Sequence, residues 1–151
     1  MESVFYPPVS FYFKVEFQGL PGASSETDVS FQEVSGLSAS VETADLGEGG
    51  QNMFKHKLPV RTTYDKLTLK RGLITNSALL KWCTESINRF EFKPLTVFVH
   101  LLDENGTTRM TWEVANAYPV KWSMSNFNAE QNAVAIESIE LNYLYFNIKT
   151  L

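Results

Sequence analysis

Alternation of apolar and polar positions is the strongest signal in this chain. From Phe11 to Phe17, one parity holds Phe11, Phe13, Val15 and Phe17, and the other holds Tyr12, Lys14 and Glu16. A period of two places successive side chains on opposite faces of an extended strand, so one face is buried and the other wetted. The same reading predicts short strands over Phe31 to Leu37 and Ser38 to Thr43. It also predicts a strand over Thr63 to Lys70, with Leu67 and Leu69 inward and Lys66, Thr68 and Lys70 outward. Further on, Leu95, Val97, Val99 and Leu101 share a face, and Met110, Trp112 and Val114 share one on a return strand. Between them, Asp103-Glu104-Asn105-Gly106 reads as a hairpin turn, because Asn-Gly readily takes the positive φ that tight hairpins need. Val120, Trp122 and Met124 make another alternating set. Ala133 to Phe146 reads as one long strand whose apolar parity switches near Glu137-Ser138, with Val134 and Ile136 before and Ile139, Leu141, Tyr143 and Tyr145 after. One register cannot bury both sets, so a β-bulge or a strand covered on both sides is expected there.

One segment follows a helical period instead. Over Ser77 to Asn88, Leu80, Cys83 and Ile87 recur at three- and four-residue steps with Leu79 beside them, and Asn76 or Ser77 can cap the N-terminus. Residues 1–10 form an arm kept extended by Pro7-Pro8, and Gln18 to Val29 and Asn126 to Asn132 are polar loops. The expected architecture is one domain over residues 1–151, mainly β. It is an antiparallel barrel or sandwich of two packed sheets, with seven or eight strands and a short α-helix at about residues 77–88. The stretch Phe31 to Gly72 reads as a long extended hairpin loop with a glycine-rich acidic segment, Gly47-Glu48-Gly49-Gly50, and a basic-apolar segment, His56 to Arg61. Leu95 to Leu102 and Ala133 to Phe146 carry few prolines or inward charges, so they are expected to offer sheet edges for pairing with other chains.

Composition narrows the function classes. With 151 residues, 20% charged and 13% aromatic, the chain can bury a core and is not a disordered one. Its net charge of -4, with no run of more than two Lys/Arg, argues against nucleic acid as the main partner. Cys83 is the only cysteine, which removes an internal disulfide and a cysteine metal cluster. The N-terminal sequence lacks the basic and apolar regions of a signal peptide, and no stretch approaches the roughly 20 apolar residues of a membrane span. Synthesis in the cytoplasm as a soluble chain, without membrane insertion by the monomer, is therefore expected.

Candidate chemistry is thin. The glycine-rich loop lacks the lysine, hydroxyl and following helix of a phosphate cradle, and Asp45 and Glu48 would repel phosphate. His56 lies between Lys55 and Lys57, and His100 has no Cys, Asp or Glu at metal spacing. Cys83 falls on the apolar stripe of the helix. Ser35 precedes Gly36 but lacks the first glycine and the strand-turn-helix of a nucleophile elbow. Glu33, Glu42, Glu137 and Glu140 could pair only through space. No catalytic residue, metal ligand or cofactor site is expected.

Read together, an ordered set of motifs resembles the tail tube proteins of contractile phage tails and phage-tail-like contractile injection systems. The set comprises Phe13-Lys14-Val15-Glu16-Phe17, Phe31-Gln32-Glu33-Val34-Ser35-Gly36-Leu37, Glu48-Gly49-Gly50 with Asn52, and His56-Lys57-Leu58-Pro59. It continues with Leu67-Thr68-Leu69-Lys70-Arg71-Gly72, Trp82, Trp112 with Asn116-Ala117-Tyr118-Pro119-Val120-Lys121, and Val134 to Leu141. The resemblance covers nearly the whole chain and extends to the Hcp tube protein of type VI secretion. It implies six copies in a ring, rings stacked into a hollow tube, and a sheath, spike and baseplate as partners. It also implies a lumen that can hold protein effector cargo. It implies no enzymatic activity, no cofactor, and no nucleic acid unless the tube belongs to a phage tail. Assembly in the cytoplasm and residence in the injection particle would follow. Val4, Phe5, Tyr6, Asp45, Leu46, Glu48, Gln51 and Asn52 are the expected contacts between subunits or rings, and Lys14, Glu16, Thr68 and Lys70 the expected lumen-facing residues. The C-terminal Asn142-Tyr143-Leu144-Tyr145-Phe146 departs from the charged, glycine-containing end of many relatives, which keeps a tube-initiator paralogue, forming the first ring above the spike, as an alternative. An alternative of another class is a stand-alone ligand-binding β-sandwich with surface Trp and Tyr as its platform.

Overall fold

The computed structural model describes residues 12–21, 30–47, 56–74, 77–125 and 135–150. In chain order the elements are β1 (Tyr12–Gln18), β2 (Ser30–Phe31), β3 (Glu33–Ser35), β4 (Ala39–Leu46), β5 (His56–Tyr64) and β6 (Leu67–Gly72). They continue with α1 (Ala78–Arg89), β7 (Leu95–Leu102), β8 (Thr108–Met124), β9 (Ile136–Asn142) and β10 (Tyr145–Thr150). Eight strands form one curled antiparallel sheet in the order β2-β1-β7-β8-β9-β6-β3, with β10 also on β8; β4 and β5 pair only with each other. The sheet folds into two packed layers that share β8. One is β2-β1-β7-β8-β10 and the other β3-β6-β9-β8. The ladder does not close into a barrel. β2 and β3, separated only by Gln32, pair with opposite ends of the path, and Gln32 N–H donates to the Lys70 carbonyl at 2.9 Å.

The mainly-β, one-helix, two-sheet reading holds, and β1 buries Val15 and Phe17 while Lys14 and Glu16 stay exposed, as the alternation requires. Several boundaries differ, each for a local reason. The Phe31 to Leu37 strand breaks at Gln32, where the chain changes partners. The Thr63 to Lys70 strand breaks at Asp65-Lys66; its first part belongs to β5, whose nine residues take in the basic-apolar segment and its proline. Pro59 is tolerated because β5 has β4 as its sole partner, leaving its other edge outside any ladder. The return strand and the Val120 set are one 17-residue strand. Asn116, at φ 52, lets this strand change parity, so Val114, Ala117 and Pro119 are buried rather than Val120. The stretch Ala133 to Phe146, of which Ala133 and Val134 fall outside the described residues, holds two strands divided at Tyr143-Leu144, where Leu144 N–H donates to the Ala115 carbonyl at 3.0 Å. The parity does not switch at Glu137. Glu137, Ile139 and Leu141 form one buried set, and the charge is inward because it has partners there.

The helix is capped by Ser77, whose Oγ accepts from Leu80 N–H at 3.0 Å. Its buried stripe is Leu79, Trp82, Cys83 and Ser86, one step around from the expected Leu80-Cys83-Ile87 line, and Ile87 is 47% exposed. Ser86 can sit inside because its hydroxyl donates to the Trp82 carbonyl at 3.0 Å. Trp82 meets Phe17 edge-on at 5.9 Å, which seats α1 on the core side of β1. The two expected sheet edges are also corrected. β7 lies between β1 and β8, and β9 lies between β8 and β6, so neither is free. Only the β10 part of Ala133 to Phe146 is an edge, together with β2, β3 and the β4–β5 pair.

Candidate subunit interfaces

The hairpin of β4 and β5 leaves the sheet at a tightly built root. Gly36 has φ +89, and a Cβ there would stand 1.8 Å from the Lys66 carbonyl oxygen, so only glycine lets these two backbones meet. Ser38 Oγ donates to Asp65, and the Tyr143 hydroxyl donates to the Gly36 carbonyl at 3.4 Å. Tyr64 packs against Tyr143 at 5.9 Å and Phe146 at 5.1 Å, joining the root to the start of β10. Burial, and then the Asp65 carboxylate and Tyr64, push the Tyr143 hydroxyl up to about 12.

Beyond the root the hairpin buries nothing. Every residue of β4 is exposed, and of β5 only Tyr64 is partly covered. Register comes from cross-strand pairs. Glu42 meets Arg61 at 3.2 Å, Asp45 stands opposite Lys57, and Ser40 Oγ lies 3.0 Å from Thr63 Oγ1. A bulge at Glu42/Thr43 bends the ribbon. Val41, Leu46, Leu58 and Val60 are each about half exposed. An isolated two-stranded ribbon is marginal in water, so this one requires a third surface to lie against. Of the expected contact residues, Asp45 and Leu46 lie at the outer end of β4. Val4, Phe5, Tyr6, Glu48, Gln51 and Asn52 fall outside the described residues.

A second open surface is β10, which among the described residues pairs with β8 alone. It carries Tyr145 at 46% and Ile148 at 52% exposure, beside Leu144 at 63%. An unpaired edge with apolar side chains is a template for another strand.

The third surface is the polar face of the β1-β7-β8-β10 layer. Registered residues share a face, so Glu16, Phe98, Glu113 and Asn147 make one cross-strand row, and Lys14, His100, Thr111 and Lys149 the next. Lys14 to Glu16 is 3.4 Å, His100 Nε2 to Glu16 is 3.6 Å, and Lys149 to Glu113 is 2.8 Å. His100 Nδ1 lies 2.8 Å from Thr111 Oγ1. Charges of both signs are thus interleaved. Sequence spacing gave no hint of the His100–Glu16 approach, which is made by strand pairing. Thr68 and Lys70 likewise face away from the core, but on β6, which does not pair with β1.

Among the described residues, the candidate groups for chemistry are paired or buried elsewhere. Glu33, Glu42 and Glu137 are each paired with a separate cation, Lys70, Arg61 and Arg71, rather than with one another. Burial first, and Glu137 second, push the Cys83 thiol up to about 12 against the opposing pull of Arg71, so it is inert. No group of His, Cys, Asp or Glu among the described residues could hold a metal ion. Among the described residues, no helix is long and apolar enough to cross a membrane.

A β-domain with an unburied ribbon, an open apolar edge and a polar sheet face defines a building block that adds to other chains. The chain belongs to the T4-like virus tail tube protein gp19 family, whose model matches residues 9–147. Its role is that of a structural tube protein, not an enzyme. A chain of the anti-feeding prophage baseplate, in a 6-fold symmetrised structure, is 28% identical, covers 97% of each chain and has a TM-score of 0.79. A chain of the sheath-tube complex of an extracellular contractile injection system (PVC) is 25% identical over 98% of this chain and 95% of its own, with a TM-score of 0.76. An Hcp protein, 16% identical over 93% of this chain and 98% of its own at a TM-score of 0.55, shares the fold. A search of curated protein sequences found no match.

Proposed function

We propose that six copies of this chain close into a ring, that rings stack into a hollow tube, and that the β4–β5 hairpin is the stacking element. The observation that carries this reading is the hairpin itself, a ribbon with apolar residues on display and no packing partner for its strands among the described residues beyond the root. The β10 edge closes the ring by pairing with a neighbouring copy. Asp45 and Leu46, with Val4, Phe5, Tyr6, Glu48, Gln51 and Asn52, contact the adjacent ring. Lys14 and Glu16 line the lumen with the rest of their polar face, whereas Thr68 and Lys70, on the outer face of the other layer, point away from it. A surface of alternating sign attracts neither acidic nor basic cargo strongly, which suits passage of a protein effector. A sheath encloses the tube, a spike and baseplate stand at its end, and assembly occurs in the cytoplasm before the particle reaches its site of action. Deleting Leu46 to Gln51 tests stacking: the subunit should stay folded and form rings but no tubes. Tubes of normal length in negative stain would refute it.

The likeness to a baseplate chain favours a second reading, in which this protein forms the first ring above the spike. A main tube protein polymerises into long tubes at high concentration, whereas an initiator stops at single rings.

A further inference from the structure

One apolar feature belongs neither to the hairpin, nor to the β10 edge, nor to the polar sheet face. At the C-terminal end of α1, Phe90 meets Phe92 edge-on at 4.9 Å, and Phe92 meets Tyr118 at 5.7 Å. Phe90 is 81% exposed, more than any other large apolar residue described, and Phe92 is 40% exposed. Phe90 also ends the helix in the left-handed region, at φ 57 and ψ 34, with its backbone N–H on the Glu85 carbonyl. That position favours glycine, and a bulky aromatic there is strained. The sequence thus accepts strain and exposure at one residue, and neither benefits the isolated subunit. Arg89 and Lys93 flank the pair, and neither forms an ion pair among the described residues.

The position of α1 identifies what this knuckle faces. Trp82 touches Phe17 on the core side of β1, whereas Lys14 and Glu16 leave β1 on the opposite side. If the Lys14/Glu16 face lines the lumen, α1 lies on the outer wall. We propose, resting on the tube reading above, that Phe90, Phe92 and Tyr118 dock the protein that encloses the tube. The knuckle would accept an apolar segment of a sheath subunit, with carboxylates of that segment meeting Arg89 and Lys93.

The test replaces Phe90 by Gly, alone and with Phe92→Ser, and mixes each variant with the recombinant sheath subunit of the same particle. Glycine suits the left-handed position, so Phe90→Gly should unfold at the same temperature as the parent or higher. Bare tubes should form normally, and the sheath recovered with sedimented tubes should fall about tenfold or more, as for loss of a central aromatic contact. Sheathed tubes at parental levels would overturn the proposal. Loss of bare tubes by the variants would overturn it too, making the knuckle a contact between copies. A parent protein that forms no tubes would instead refute the tube reading on which the proposal stands.

Discussion

Arg71 Nε and Glu137 Oε2 lie 2.9 Å apart, with neither side chain more than 3% exposed. Around this pair, Arg71 also donates to Ser77 Oγ at 2.9 Å and stands 5.2 Å over the Phe31 ring, and Trp122 Nε1 donates to Glu137 Oε1 at 2.8 Å. One ion pair therefore ties the helix cap to β2, β6, β8 and β9. Removing a single partner strands the other charge in the core. Glu137→Ala should lower stability by about 3–5 kcal/mol in urea unfolding, and a loss below about 1 kcal/mol would contradict this account.

Gly36 should tolerate nothing larger. In Gly36→Ala the backbone strain alone costs about 1–3 kcal/mol, and the new methyl collides with the Lys66 carbonyl. The expected result is a clear drop in unfolding temperature, together with loss of tubes as the hairpin root shifts. An unchanged melting curve would show that the two backbones can separate freely.

Asp103 organises the β7–β8 turn and predicts a pH dependence. Chiefly the Thr107 N–H, and then the Asn105 N–H and Arg109, hold its carboxyl below the ordinary value of 3.8, against the opposing effect of burial. A depressed native value means that the stabilisation is fully present above the unfolded value and is lost as pH falls through the native one. Asp103→Asn should therefore flatten the acid limb of a stability–pH curve. The parent and variant should differ most near neutrality and converge in strong acid.

Ring closure should be separable from folding at Ile148. Replacing it by Lys puts a charge on the β10 edge, where the parent side chain is half exposed. Subunit stability should stay within about 0.5 kcal/mol of the parent, as for an exposed site, while ring mass in analytical ultracentrifugation gives way to monomer.

Cys83 should resist alkylation in the folded subunit. Its thiol is pushed up to about 12 and has no exposure, so its labelling rate should follow unfolding and rise with urea. Fast labelling of native protein would mean that α1 opens on its own.

Period-two alternation exposed most of the fold because one buried layer serves most strands. It failed where a residue's environment reverses its usual meaning. Glu137 looked like a break in parity because a carboxylate inside is costly, and the cation that admits it, Arg71, lies 66 residues away. Asn116 takes a left-handed φ that joins two apparent strands into one, and nothing in its neighbours signals that. His56 to Tyr64 lacks a buried face, so no alternation marks it as a strand; its pairing with β4 gives it that form. The hairpin could be anticipated as a projection. The free edge could not, because strand order follows from packing rather than from local composition.

The long β8 strand has a mechanical consequence. Its 17 residues trace a contour of about 55 Å, with β7 along one side and β10 and then β9 along the other. A shear load on any of these three strands meets rows of hydrogen bonds anchored on the same girder. Asn116 is the one left-handed residue of that girder and sits beside register shifts against β7 and β9, so a subunit pushed end-on should yield there first.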